Sequence, residues 1–124
     1  GGLVSATARH EDLTVSALVA LNAVGAIDGD PAHGPELVRN MTSQSTPLGN
    51  TVIGVVATNA QLTKQDCHLM SQAAHDGLAR SVYPAHTPFD GDAFVGVATG
   101  PHDADINAVR ILAVSAVTAA IRSL

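Results

Sequence analysis

The residue best placed to act as a nucleophile is Thr51, at the head of the apolar run Thr51-Val52-Ile53-Gly54-Val55-Val56-Ala57-Thr58 and directly after Gly49-Asn50. A threonine hydroxyl is weak until a base takes its proton, and an N-terminal residue can use its own α-amine as that base. The α-amine titrates near ~8, so a useful fraction is neutral at working pH. An internal Thr51 has no free amine. The Asn50-Thr51 bond would first have to break, by attack of the Thr51 hydroxyl on the Asn50 carbonyl, an N-to-O acyl shift and hydrolysis of the resulting ester. Gly49 permits the strained backbone such a step needs. The plainer reading is that Asn50 closes a turn and β-branched Thr51 starts a strand.

Other chemistry-bearing residues are less organised. His10, His33, His68, His75, His86 and His102 form no H-E-x-x-H pair and no Cys/His cluster, so no metal ion or other cofactor is expected. His68 and His75 nearly share a helix face, but an isolated pair is commonly surface or core. Cys67 falls within a helical pattern and reads as a small core residue, which suits a reducing compartment.

The elements that must position Thr51 follow from hydrophobic pattern. The alternation in residues 3–9, and in 12–24 at Leu13, Val15, Ala17, Val19 and Leu21, predicts two strands joined by a turn near Glu11-Asp12. From Gly25 to Asn50 the density of Gly and Pro predicts a long loop, and loops of that length tend to be functional. The run from Thr51 to Thr58 is apolar at successive positions, as in a central strand covered on both faces. Thr63 as N-cap with Asp66 three residues on starts a helix running to about Val82, with Cys67, Met70, Ala74, Leu78 and Val82 as its apolar stripe. Leu62 is placed to pack against Cys67. Residues 84–92 form a second loop and 93–99 a further buried strand. Asp103 or Asp105 caps a last helix with the stripe Ile106, Val109, Ala113, Ala116 or Val117, and Ala120. Strands alternating with amphipathic helices predict an α/β layered fold.

At 124 residues one domain is expected, and with aromatics at 2% its core must be built from Ala, Val, Leu and Ile. The scarcity of aromatics also argues against base-stacking platforms. A net charge of -5 with six scattered basic residues makes nucleic acid an unsuitable partner. The apolar stretches are too short for a membrane span, and Gly1-Gly2-Leu3-Val4-Ser5 lacks the form of a signal peptide, so a soluble cytoplasmic protein is expected. Without an initiator Met, the chain is expected to begin inside a longer reading frame.

Five segments carry a family resemblance: GGLVSAT at 1–7, LVALNAVG at 18–25, GNTVIGVVATNAQLTK at 49–64, AHDGLAR at 74–80 and PAHTPFDGDAFVGVATG at 84–100. In order and spacing they resemble the DmpA family, the L-aminopeptidase D-Ala-esterase/amidase and β-peptidyl aminopeptidase enzymes. The resemblance implies a precursor that cuts itself into α and β chains, with Thr51 as the freed nucleophile and Asn50 the residue before the cut. It implies a four-layer αββα sandwich of the N-terminal-nucleophile type. In that reading residues 1–124 are the C-terminal portion of a single domain, with 1–50 ending the α chain and 51–124 forming the β chain.

By the same resemblance Asn22 supplies an amide to the oxyanion hole. Thr87 relays or orients a proton, and Asp90 or Asp92 holds the Thr51 amine. Small peptide, amide or ester substrates, an upstream α-chain region and a homo-oligomer are the implied partners. The competing reading is a noncatalytic binding or assembly module with an uncut Asn50-Thr51 junction, and the state of that bond separates the two.

Overall fold

The computed structural model describes residues 1–41 and 49–124. Strands β1 (Gly2–His10) and β2 (Leu13–Asn22) form an antiparallel hairpin in continuous register from Gly2↔Leu21 to His10↔Leu13. Its turn is at Glu11-Asp12 as the alternation predicts, with Glu11 in the left-handed region at φ 53°. β2 then pairs antiparallel with β4 (Thr51–Ala60), and Asn22 lies directly opposite Thr51. β4 pairs in parallel with β6 (Ala93–His102), which puts β4 inside a sheet of order β1-β2-β4-β6.

A parallel pair needs a crossover, and helix α2 (Lys64–Ser81) provides it. The Thr63 hydroxyl accepts from the Asp66 amide at 3.1 Å, which satisfies one of the orphan donors of the first turn. Helix α3 (Ile106–Arg122) starts at Asp105, whose carboxylate accepts from the Asn107 amide at 2.8 Å. Of the two aspartates that suit the cap by sequence, Asp105 fills it.

Both helices cover the same face of the sheet. Val15, Val19, Val52 and Val56 from the strands meet Met70, Leu78, Val109 and Val117 from the helices, all fully buried. Alanines fill the gaps, as a chain almost without aromatics requires. The helices approach closely at Gly77, where an added Cβ would sit 2.8 Å from Cβ of Val117. The α2 stripe is wider than its spacing suggests, with Ala73, Gly77 and Ser81 buried beside Met70, Ala74 and Leu78.

Two expectations are corrected. The stretch from Gly25 to Asn50 is not one structureless loop. It carries β3 (Ala26–Ile27), a 3-10 turn (Pro31–His33) and α1 (Gly34–Met41), while residues 42–48 lie outside the described residues. β3 pairs with β5 (Val82–Tyr83), a tertiary contact invisible to local pattern. Asp30 caps the 3-10 turn by accepting from the Ala32 amide at 2.9 Å.

The second correction concerns β4 and β6, which the described residues cover on one face only. Their burial alternates, and Ile53 and Val95 are 56% and 57% exposed. The apolar character on both faces is real, but among the described residues α2 and α3 lie on one face only.

Candidate active site

The site gathers where four chain segments meet at one end of the inner strands of the sheet. β2 terminates at Asn22, β4 begins at Thr51, the segment before it brings Gly49 and Asn50, and the loop from β5 to β6 brings residues 84–92. Cross-strand pairing sets Asn22 and Thr51 on the same, helix-free face.

The half-buried Thr51 hydroxyl donates to the carbonyl oxygen of Asn50 at 2.7 Å. That same oxygen accepts from the Gly91 amide at 3.0 Å. The Asn22 side-chain amide donates to the carbonyl of Gly49 at 3.2 Å, one residue upstream of the bond Thr51 would attack. Asn22 therefore holds the segment before the junction in place.

The two aspartates have separate tasks. Asp90 accepts from the Val24 amide at 3.0 Å through one oxygen. Through the other it accepts from the Thr87 amide at 3.2 Å and the Thr87 hydroxyl at 2.5 Å. It thus ties the loop to the chain just beyond Asn22. Asp92 accepts from the Val52 amide at 3.1 Å and contacts His86 Nδ1 at 2.7 Å, and its side chain is only 4% exposed. Thr87 also accepts from the Phe89 amide at 3.3 Å, so its hydroxyl is engaged on both sides.

Sequence reasoning weighed His75 and His86 only as metal ligands and did not bring them together at the site. His86 holds a left-handed backbone at φ 56°, uncommon for a residue with a side chain. Its ring lies 4.9 Å from that of His75, which in turn packs edge-on against Phe94 at 4.9 Å. His75 Nδ1 is buried without a hydrogen-bond partner among the described residues. Burial, and then the neighbouring His86, hold the His75 imidazole below its ordinary value, against smaller upward pulls from Asp92 and Asp76. The available signal was the helix periodicity that faces His75 toward the sheet. Among the described residues no group of three or more His, Cys, Asp or Glu side chains is arranged to hold a metal ion.

Beside the junction opens a cavity of about 470 Å³, lined by Val24, Leu37, Tyr83, Pro84 and Phe89 and by Asn50 itself. Its size falls within the usual range for small-molecule pockets, about 300–1,000 Å³. Among the described residues no charged side chain lines it. The arrangement joins a hydroxyl touching the peptide carbonyl before it, amide donors around that carbonyl, two anchored carboxylates and an uncharged recess.

The sequence profile of Peptidase family S58 matches residues 1–123. An uncharacterized aminopeptidase of Mycobacterium tuberculosis is 38% identical over 124 aligned residues, covering 81% of this chain and 36% of that protein. The β-aminopeptidase of a Burkholderia species superimposes with a TM-score of 0.66 at 26% identity, over 98% of this chain and 40% of that one. The L-aminopeptidase D-Ala-esterase/amidase of Ochrobactrum anthropi, described as a variant of the Ntn hydrolase fold, superimposes with a TM-score of 0.60 at 19% identity. It covers 98% of this chain and 39% of that one, and supports the fold alone. The chain thus spans about a third of the curated relative's length.

Proposed function

The chain belongs to Peptidase family S58, and from that premise we propose that it is part of a self-cleaving amide hydrolase in which Thr51 cuts the Asn50-Thr51 bond and then serves as N-terminal nucleophile. The observation that carries this reading is the Thr51 hydroxyl at 2.7 Å from the carbonyl oxygen of the preceding residue, at the head of an inner strand. Scission leaves residues 1–50 as the end of an α chain and 51–124 as a β chain. The new amine of Thr51 then supplies the base its hydroxyl lacked.

In the mature enzyme the substrate's aminoacyl group takes the position of Asn50, with its side chain in the adjoining cavity. Departure of the Gly49-Asn50 end frees the Asn22 amide from the Gly49 carbonyl, so it can donate to the oxyanion of a substrate. Asp90 and Thr87 hold the loop against the strand end, and Asp92 fixes the backbone beside the nucleophile and orients the amine region. Aminopeptidase is the name of the mycobacterial relative and β-aminopeptidase that of the Burkholderia protein. Small aminoacyl amides, esters and short peptides are accordingly the proposed substrates here. An upstream α-chain region supplies a second sheet against the helix-free face, within a cytoplasmic homo-oligomer.

Intact-mass measurement of the expressed precursor tests the first step. Two chains, the second beginning at Thr51, are expected from the wild type and a single chain from Thr51→Ala. A wild-type chain that stays whole, while still hydrolysing aminoacyl amides, would remove Thr51 from the mechanism.

A further inference from the structure

The carbonyl oxygen of Asn50 already accepts a backbone donor, the Gly91 amide at 3.0 Å, while the Asn22 amide is occupied one residue upstream. We propose that the Gly91 N–H is the oxyanion donor of the self-cleavage step, and that Asn22 takes up oxyanion stabilisation only for substrates that arrive afterwards. This rests on the self-cleaving reading above.

Three features support it. First, the bond is set by strand register: Asn50 bridges Asp90 in parallel, at the same offset that pairs Ile53 with Ala93. The amide is therefore aimed at the scissile carbonyl before any charge develops, which is the condition for electrostatic preorganisation. Second, Gly91 is held by carboxylates on both sides. Asp90 is bonded to Val24 and Thr87, and Asp92 to Val52 and His86. Third, a Cβ at position 91 would stand 3.3 Å from the Thr51 hydroxyl oxygen. Glycine leaves that oxygen room to swing from the carbonyl oxygen toward the carbonyl carbon.

In the step itself, the Thr51 oxygen bonds to the Asn50 carbonyl carbon as its proton passes, directly or through water, to a carboxylate of the site. The carbonyl oxygen takes the negative charge and draws on the Gly91 N–H. The C–N bond then breaks, the Thr51 nitrogen gains the proton, and an ester joins Asn50 to the Thr51 oxygen. Water hydrolyses that ester to an Asn50 carboxylate and a free Thr51 hydroxyl.

The test replaces Gly91 by glycolate in the full-length precursor by semisynthesis, exchanging the N–H for an oxygen without adding a side chain. Scission followed by intact mass is expected to slow about 10²–10³-fold, as for removal of one oxyanion donor. The same exchange at Gly96, in strand β6 beyond the loop and away from the junction, should leave the rate unchanged. Scission of the glycolate-91 protein at the wild-type rate would overturn the proposal and leave the self-cleaving reading standing. Failure of the wild type to cut would instead overturn that reading. A second measurement needs no ester: in uncut Thr51→Ala precursor the Gly91 amide should be protected from hydrogen exchange, and rapid exchange there would also overturn the assignment.

Discussion

At the residue scale, what separates Thr51 from an ordinary strand-initiating threonine is the company its hydroxyl keeps. Residue type and flanking segments mark Thr51, Asn50 and Asn22 in the sequence. Pairing in the sheet then brings Asn22 and Thr51 face to face. The division of labour between Asp90 and Asp92 was not legible, because it depends on which backbone amide each carboxylate meets after the loop folds back. Nor was the His75–His86 contact, which joins a helix residue to a loop in a strained backbone. That contact carries a pH prediction. The His75 imidazole has its folded value depressed, so the unfolded chain binds the proton first as pH falls. Its stabilising contribution is complete above the ordinary value of about 6.5 and is lost as pH drops below it, through the folded value. Thermal melts between neutral pH and pH 5 should therefore show a decline that flattens in His75→Phe, which keeps a ring against Phe94 and removes the proton site. A variant with the same acid slope as the wild type would assign the decline to other groups.

At the element scale, patterns of period two and of helical period disclosed the hairpin, α2 and α3, because each buries one face against a neighbour in a regular way, while β4 and β6 were disclosed by their apolar runs. The caps at Thr63 and Asp105 follow from local chemistry and are legible for that reason. β3 and α1 were missed because β3 exists only through its pairing with β5, and α1 is a short helix amid residues that favour turns. Close approach was likewise silent in the pattern. At Gly96, β6 passes under α2 so tightly that an added Cβ would lie 2.4 Å from the backbone oxygen of Cys67. A backbone atom cannot rotate away, so strand and helix would have to part. Gly96→Ala should cost about 1–3 kcal/mol, the usual range for overpacking a core, read as a lowered urea midpoint with unchanged slope. For comparison, Thr63→Ala should cost about 1 kcal/mol through loss of the α2 cap alone. A Gly96→Ala chain as stable as the wild type would mean that the helix yields easily at Cys67.

At the scale of the whole molecule, the described residues form a four-stranded sheet backed by one layer of the helices α2 and α3, beside the small β3-β5 pair, with Leu3, Leu18, Ile53, Val55, Val95 and Val97 across the other side of the larger sheet. An apolar face of this kind on a sheet is ordinarily covered, and its residues sit on the same side as Asn22 and Thr51. In the proposed assembly a second sheet packs there and closes the site from above, which explains why β4 reads in sequence as a strand buried on both faces. The proposal has a contrast that a surface patch with no partner would lack. In the isolated 124-residue chain, Val95→Lys changes a solvated position, so its effect on unfolding free energy should stay within about 0.5 kcal/mol. In the full-length precursor the same lysine would be an unpaired charge between two sheets, at a cost of about 3–5 kcal/mol or a shift in its ionisation. Urea unfolding of both lengths, with and without the substitution, measures the difference. Equal and small effects in the two would mean that the face stays open in the intact protein, and the site would then have to be complete on one sheet.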